Sequence, residues 1–272
     1  MVQQRAGNHG WRCREAMRPT FLTIVVPVLL LLFPQLSHGT NPTVETILRE
    51  VQQAEAAREA AIRDMVYTAE TQVVEWEDAS RRAVKSETLS VRRVYAREPD
   101  QLHNEYLSMT IDGRELTQKE MERELARQQR GGRRDGSEEF QSPFSAEAAP
   151  LYEFDLKGTE VFEGQAVWVV EFTPTKVEEN LFSGSAYISR KDYQPVYVEM
   201  APAVLPRILE EFAMNIRFAP VEGYRLPSLF SMDMRVRVSF LITLADRTLS
   251  IEDRYSEYRL NVGLNDEFFA GK

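Results

Sequence analysis

The apolar positions of this chain keep a helical period over one stretch near its start and a two-residue period over most of the rest. Val44, Ile47, Leu48, Val51, Ala54 and Ala57 recur every three or four residues, with Glu, Gln and Arg between them. That spacing predicts an amphipathic helix, opened by Pro42 and Thr43, whose stripe fades after Ala61 and which ends near Met65 or Tyr67. Thr, Val and aromatic residues then predict strands over 67–76, 88–95 and 105–111, with a charged turn over 77–85. Residues 97–104 read as a charged loop, and Asp112-Gly113 as a turn.

Thr117 followed by Glu120 is a capping-box pair and starts a second, highly charged helix over 117–129. Residues 130–145 hold three glycines, a proline and mixed charge, and read as a mobile surface loop. A meander follows. Strands are expected over 151–156, between Gly158 and Gly164, and over 166–173, 184–190 and 193–200, with Pro195 at an edge or a strand start. Further strands are expected over 215–218, 226–230, 232–244 and 248–260. Between them, Leu205, Ile208, Leu209 and Phe212 fall at helical spacing behind two prolines, which predicts a short amphipathic helix over 201–212. About ten strands with one long and two short helices give a mainly β fold with helices (α+β). An antiparallel sheet of that size has to cover an apolar face.

The first 39 residues stand apart. Arg12, Arg14 and Arg18 precede an uncharged apolar run over 20–34, and Ser37 and Gly39 occupy the small-residue positions of a cleavage site. This describes a secretory signal peptide, cleaved near Gly39; an uncleaved anchor is the other reading. Met1 and Met17 are both possible starts. The expected organisation is therefore a signal peptide at 1–39 and a single domain at 40–272 that works outside the cytoplasm; the resemblance given below implies the periplasm.

Export changes the available chemistry. The whole chain has 33 basic and 42 acidic residues; without the leader's four arginines and Glu15, 29 basic and 41 acidic residues remain, a net of −12. That charge argues against nucleic acid as a partner. Cys13 leaves with the leader, so no disulfide, thiolate zinc site or cysteine nucleophile is expected, and His103 is the one remaining histidine. No serine–histidine–aspartate arrangement stands out. The expectation is a monomeric non-enzyme without metal or cofactor.

Five segments carry a resemblance: DGRELTQKEMERELARQ (112–128), GTEVFEGQAVWVVEFTP (158–174), GSAYISRKDYQPVYVEM (184–200), GYRLPS (223–228) and IEDRYSEYR (251–259). They resemble the LolA/LolB-like superfamily of periplasmic outer-membrane lipoprotein-sorting carriers, which includes the RseB-type sensors, over about 65–262. The resemblance implies a curved, half-open antiparallel sheet or barrel, covered by the N-terminal helix and short lid helices, whose cavity accepts acyl chains.

Against that expectation, Trp168, Val170 and Phe172 read as cavity lining or as packed core. The same pair of readings holds for Met232, Met234, Val236, Val238 and Phe240. Val204, Leu205, Ile208, Leu209 and Phe212 read as a mobile lid or as a fixed plug. Arg235 and Arg237 read as headgroup ligands at the cavity mouth or as a solvated sheet face, and Tyr255 and Tyr258 as structural. The expected function is a carrier for the acyl chains of a lipid or lipoprotein bound for the outer membrane. The alternative is a sensor that binds a lipidated or misfolded ligand and signals to an envelope membrane protein.

Overall fold

The computed structural model describes residues 42–97, 99, 101–130, 142–176, 178, 180–240 and 242–270. The leader and most of the glycine-bearing loop predicted over 130–145 lie outside the described residues.

Helix α1 spans Val44–Ala61. Thr43 caps it, its Oγ1 accepting from Thr46 N at 3.4 Å, and the stripe read from the sequence buries Ile47 and Val51. The helix ends four to six residues earlier than expected. Ile62 is already extended, and the Thr- and Val-rich sequence that follows enters a strand at Asp64.

Among the described residues eleven strands follow, interrupted by one helix and by a 3₁₀ turn at Ala149–Leu151: β1 (Asp64–Trp76), β2 (Val84–Arg97), β3 (Gln101–Ile111), β4 (Arg114–Glu115), α2 (Gln118–Arg130), β5 (Tyr152–Phe162), β6 (Gln165–Pro174), β7 (Phe182–Ser189), β8 (Pro195–Pro202), β9 (Leu209–Val221), β10 (Tyr224–Phe240) and β11 (Ile242–Leu260). A short α3 (Asp266–Ala270) comes last. All strands belong to one antiparallel sheet in the order β4-β3-β2-β1-β11-β10-β9-β8-β7-β6-β5. Only β1 against β11 joins strands far apart in sequence. The first and last strands in the order do not pair, so the sheet is open.

The capping box forms as expected: Thr117 N donates to Glu120 Oε2 at 2.9 Å and Glu120 N to Thr117 Oγ1 at 3.4 Å. Other expectations are corrected. Residues 101–104 belong to β3, and His103 lies against Tyr95 and Phe268. Gly158 does not separate two strands; it sits at an irregularity within β5. The alternating segment 232–244 is not one strand but the end of β10 and the start of β11. No turn residue marks that reversal, so a continuous strand was the natural reading.

The predicted helix over 201–212 is absent. The segment is a turn between β8 and β9, and β9 begins at Leu209. Eight residues at helical spacing, 205–212, cannot hold a helix against a ready partner strand. Here β10 offers a ladder from Val236 to Tyr224.

The core lies on one face of the β5–β9 half of the sheet, under α1. Phe172, Val170 and Ile188 are fully buried there with Ile47 of α1 and Phe144 of the preceding segment. Burial of each such side chain contributes about 1.5–3 kcal/mol. Gly184 lets β7 and β8 approach. A Cβ on it would lie 2.8 Å from Met200 Cα and would strike Glu199 O.

Candidate functional site

Register partners on neighbouring antiparallel strands share a face, so whole rows can be followed across the sheet. One row on the α1 face runs Leu156, Val170, Ala186, Val198, Ile216, Phe230, Asp253, Thr71, Ser90, Met109. The neighbouring row runs Phe154, Phe172, Gly184, Met200, Met214, Met232, Ile251, Val73. The face is therefore apolar from β5 to β10 in both rows, and it turns polar at β11 in the first.

Cover over this face is uneven. Toward β6 and β7 the side chains are sealed. Toward β9 and β10, Phe212, Ile216, Phe218 and Phe230 are only half-buried, as are Met232 and Met234. Three methionines in line, Met200, Met214 and Met232, provide unbranched side chains that adapt to varied shapes. Under the far end of α1, between Val51, Glu55, Phe144, Ile188 and Pro195, a crevice of about 30 Å³ remains. That is room for about one water, not for an acyl chain. Burial raises the Glu55 carboxyl above the usual carboxylate range, and Arg58, 3.6 Å away, partly offsets this.

The polar part of the face is built by three strands. Arg92 on β2 donates to Thr71 Oγ1 on β1, Thr71 donates to Asp253 Oδ1 on β11, and Arg92 Nη2 lies 3.8 Å from Asp253 Oδ2. Tyr255 OH donates to Asp253 Oδ2 at 3.2 Å, and Tyr258 OH donates to Pro227 O at 2.7 Å. Tyr67 packs edge-on against Tyr255 and stacks on Tyr258, with ring centroids 5.8 and 5.0 Å apart. Burial holds all three phenols above the ordinary tyrosine pKa, with the Asp253 charge reinforcing the effect at Tyr67 and Tyr255. Among the described residues no three His, Cys, Asp or Glu side chains converge to hold a metal ion.

The family of unknown function DUF5686 matches residues 41–250 of the sequence. The chain belongs to that family. No curated protein matches the sequence of this DUF5686 chain. Among solved structures it is similar to the LolA superfamily protein NE2245 of Nitrosomonas europaea, with 12% identity over 84% of this chain and 97% of that one, at a TM-score of 0.40. A DUF1329 family protein of Desulfovibrio piger gives 13% identity, the same coverages and a TM-score of 0.42. A domain assigned as an outer membrane lipoprotein-sorting protein from Vibrio parahaemolyticus gives 16% identity, again the same coverages, and 0.40.

The DUF5686 fold brings some of the expected site residues together and separates others. Trp168, Val170 and Phe172 share the α1 face with Phe212, Met232 and Met234, and Val236 follows on the same strand face. In this state the first three are packed core, at 4%, 0% and 0% exposure. The side chains of Val238 and Phe240 lie outside the described ones. Val204, Leu205 and Ile208 sit in the β8–β9 turn, while Leu209 pairs with Val236 within the sheet.

Arg235 and Arg237 point to the opposite face. Arg235 forms a fork with Asp246 (3.0 and 2.8 Å) and meets Glu210 at 2.9 Å, and Arg237 meets Glu210 at 3.0 Å. Hydrogen bonding to Asp246 raises the Arg235 pKa, so its charge is fixed and already answered. The sequence reading missed Thr71, Arg92 and Asp253. Their signal, a Thr, an Arg and an Asp within alternating strands, acquires meaning only once the register is known.

Proposed function

We propose that this DUF5686 protein is an exported periplasmic carrier that binds the acyl chains of a lipid or lipoprotein on the α1 face of its sheet. The observation that supports this reading is the row of half-buried Phe and Met side chains on β9 and β10, which continues the core past its seal and stops at the Arg92–Thr71–Asp253 group. An acyl chain laid along that row gains about 0.8 kcal/mol for each methylene removed from water. The polar group beside Phe230 gives the head of an amphiphile a place to end.

Fuller loading needs α1 to move. Its C-terminal end is tied down: Arg63 N donates to Asn261 Oδ1 at 2.8 Å, and Asn261 Nδ2 donates to Ala61 O at 2.9 Å. At its other end Val44 and Leu48 are only partly buried against the core. In this reading the helix swings about residues 62–63, and Trp168, Val170 and Phe172 change from core to lining.

Displacement of a fluorescent fatty acid, without vesicles, tests the site. Met234→Glu is expected to stay folded, because its half-exposed position lets the carboxylate reach water, and to lose binding. Phe172→Glu is expected to unfold, because a fully buried charge there has no partner. Normal binding by folded Met234→Glu would remove the site from this face.

A further inference from the structure

The open sheet ends in two edges, and they are finished differently. β5, at one end, carries Glu153, Asp155, Lys157 and Glu160, and its ladder is broken at Gly158, where φ is +143°. Charges and irregularities of this kind keep an edge strand from pairing with another chain. At the other end β4 pairs with β3 only at Thr110 and Ile111, and Leu116 N takes the next acceptor, Met109 O, at 2.8 Å. Among the described residues no strand pairs with the free side of residues 101–108. That stretch reads Gln-Leu-His-Asn-Glu-Tyr-Leu-Ser, with no lysine, arginine or proline and with Glu105 as its one carboxylate. Its pairing with β2 is regular from Gln101 to Tyr106 and shifts at Leu107. Leu102 and Leu107 are exposed at 48% and 45%. Phe268 of α3 packs on the His103 ring, centroids 5.9 Å apart, and so covers a face of the strand rather than its edge.

The regular part of this edge matches itself. Directly opposed residues of an antiparallel pair share a face, so a two-fold axis between two copies has to pass through a residue. An axis at Glu105 would set two Glu105 carboxylates against each other, and one at His103 would set Glu105 opposite Gln101. An axis at Asn104 sets His103 of each copy opposite Glu105 of the other, and Leu102 opposite Tyr106. Both kinds of cross-strand pair are favourable. Tyr95 OH donates to Glu105 Oε2 at 2.8 Å and steadies that carboxylate on its strand.

We propose that the free edge of β3 pairs with the same edge of a second copy of this chain, antiparallel about Asn104. The ladder continues each sheet into the other and covers the exposed Leu102 side chains with Tyr106. Tyr106 is the register partner of Arg92, so the two sheets meet beside their polar groups and leave the apolar rows of the α1 face at the far ends. This inference does not depend on acyl-chain binding at that face.

Sedimentation equilibrium of the full chain is expected to give the mass of two chains. His103→Asp opposes carboxylates at two places in the pair, and Glu105→Lys opposes a lysine to each imidazole. Each variant alone is expected to associate about tenfold more weakly. An equimolar mixture of the two is expected to recover the pair, because the introduced carboxylate then faces the introduced lysine while His103 of one chain faces Glu105 of the other. In a Cys13→Ser background, a short thiol cross-linker is expected to join two chains through Asn104→Cys and not through Val161→Cys, at a 76% exposed position on β5. Should a charge variant fail to fold, this comparison still decides. Four results would overturn the proposal: a single-chain mass at the highest soluble concentration, the monomer expected from the sequence; undiminished association of either folded charge variant; a mixture no better paired than its components; or cross-linking at 161 equal to that at 104. Uptake of soluble fatty acid by the folded charge variants should be unchanged, which separates this edge from the α1 face.

Discussion

Phe230 and Asp253 are register partners on adjacent strands, and between them one face of the sheet changes from apolar to polar. On the Phe230 side the row continues through Ile216 and Val198 into sealed core. On the Asp253 side it continues into Thr71 and Ser90. An amphiphile has the same division within one molecule.

If cover over the apolar rows thins toward β10, truncations should differ along a single row. Phe172→Ala, at a fully buried position, is expected to cost about 3–5 kcal/mol. Met232→Ala, at a half-buried position of the same row, is expected to cost less than about 2 kcal/mol. Urea unfolding of both variants checks this; equal costs would mean that the face is sealed throughout.

Arg92 and Asp253 are mostly buried, so removal of one leaves the other short of a partner. Arg92→Leu is expected to destabilise by about 1–3 kcal/mol, and Asp253→Leu in the Arg92→Leu background should restore part of that loss. A double-mutant cycle with no coupling would show that the two side chains, 3.8 Å apart, act independently.

The tyrosine cluster predicts loss of stability in alkali. Tyr67, Tyr255 and Tyr258 are held above their ordinary pKa in the fold, chiefly by burial, so the native state favours the neutral phenols. Unfolded tyrosine ionises near pH 10. Stability from this source is therefore unchanged below that pH. Above it the unfolded chain releases protons that the native chain keeps, and stability falls by about 1.4 kcal/mol per pH unit for each tyrosine still protonated. Denaturant midpoints measured from pH 8 to 11 should show this fall, and Tyr258→Phe should make it shallower.

Gly184 has no space for a side chain between β7 and β8. Gly184→Ala places a methyl against Met200 Cα and Glu199 O, both backbone atoms that cannot move without parting the strands. A loss of about 1–3 kcal/mol is expected. A thermal midpoint equal to that of the parent would contradict the close approach.

Much of the fold was legible before any coordinates, because strand alternation and the Val44–Ala57 stripe both report which side of an element meets the core. Thr117 and Glu120 announced α2 through chemistry local to one turn. The failures share a cause in partners distant in sequence. Helical spacing over 205–212 gave way to pairing of β9 with β10, and the reversal near residue 241 carries no turn residue. Candidate site residues were legible as apolar stripes, so Trp168, Phe172, Met232 and Met234 were found on the face they share. Asp253 lies 182 residues from Thr71 and 161 from Arg92, and only the β1–β11 ladder brings the three together. Arg235 and Arg237 were left with two readings, headgroup ligands or a solvated sheet face, because alternation shows that two faces exist, not which one the helix covers.

The most direct test of acyl-chain binding is native mass spectrometry of the protein purified from its native cells under gentle conditions, followed by lipid extraction. The account predicts a species heavier by one lipid or lipid-modified peptide, recovered in the extract, and its loss in a folded Met234→Glu variant. Protein that carries no added mass and takes up no fatty acid when offered it would contradict the account.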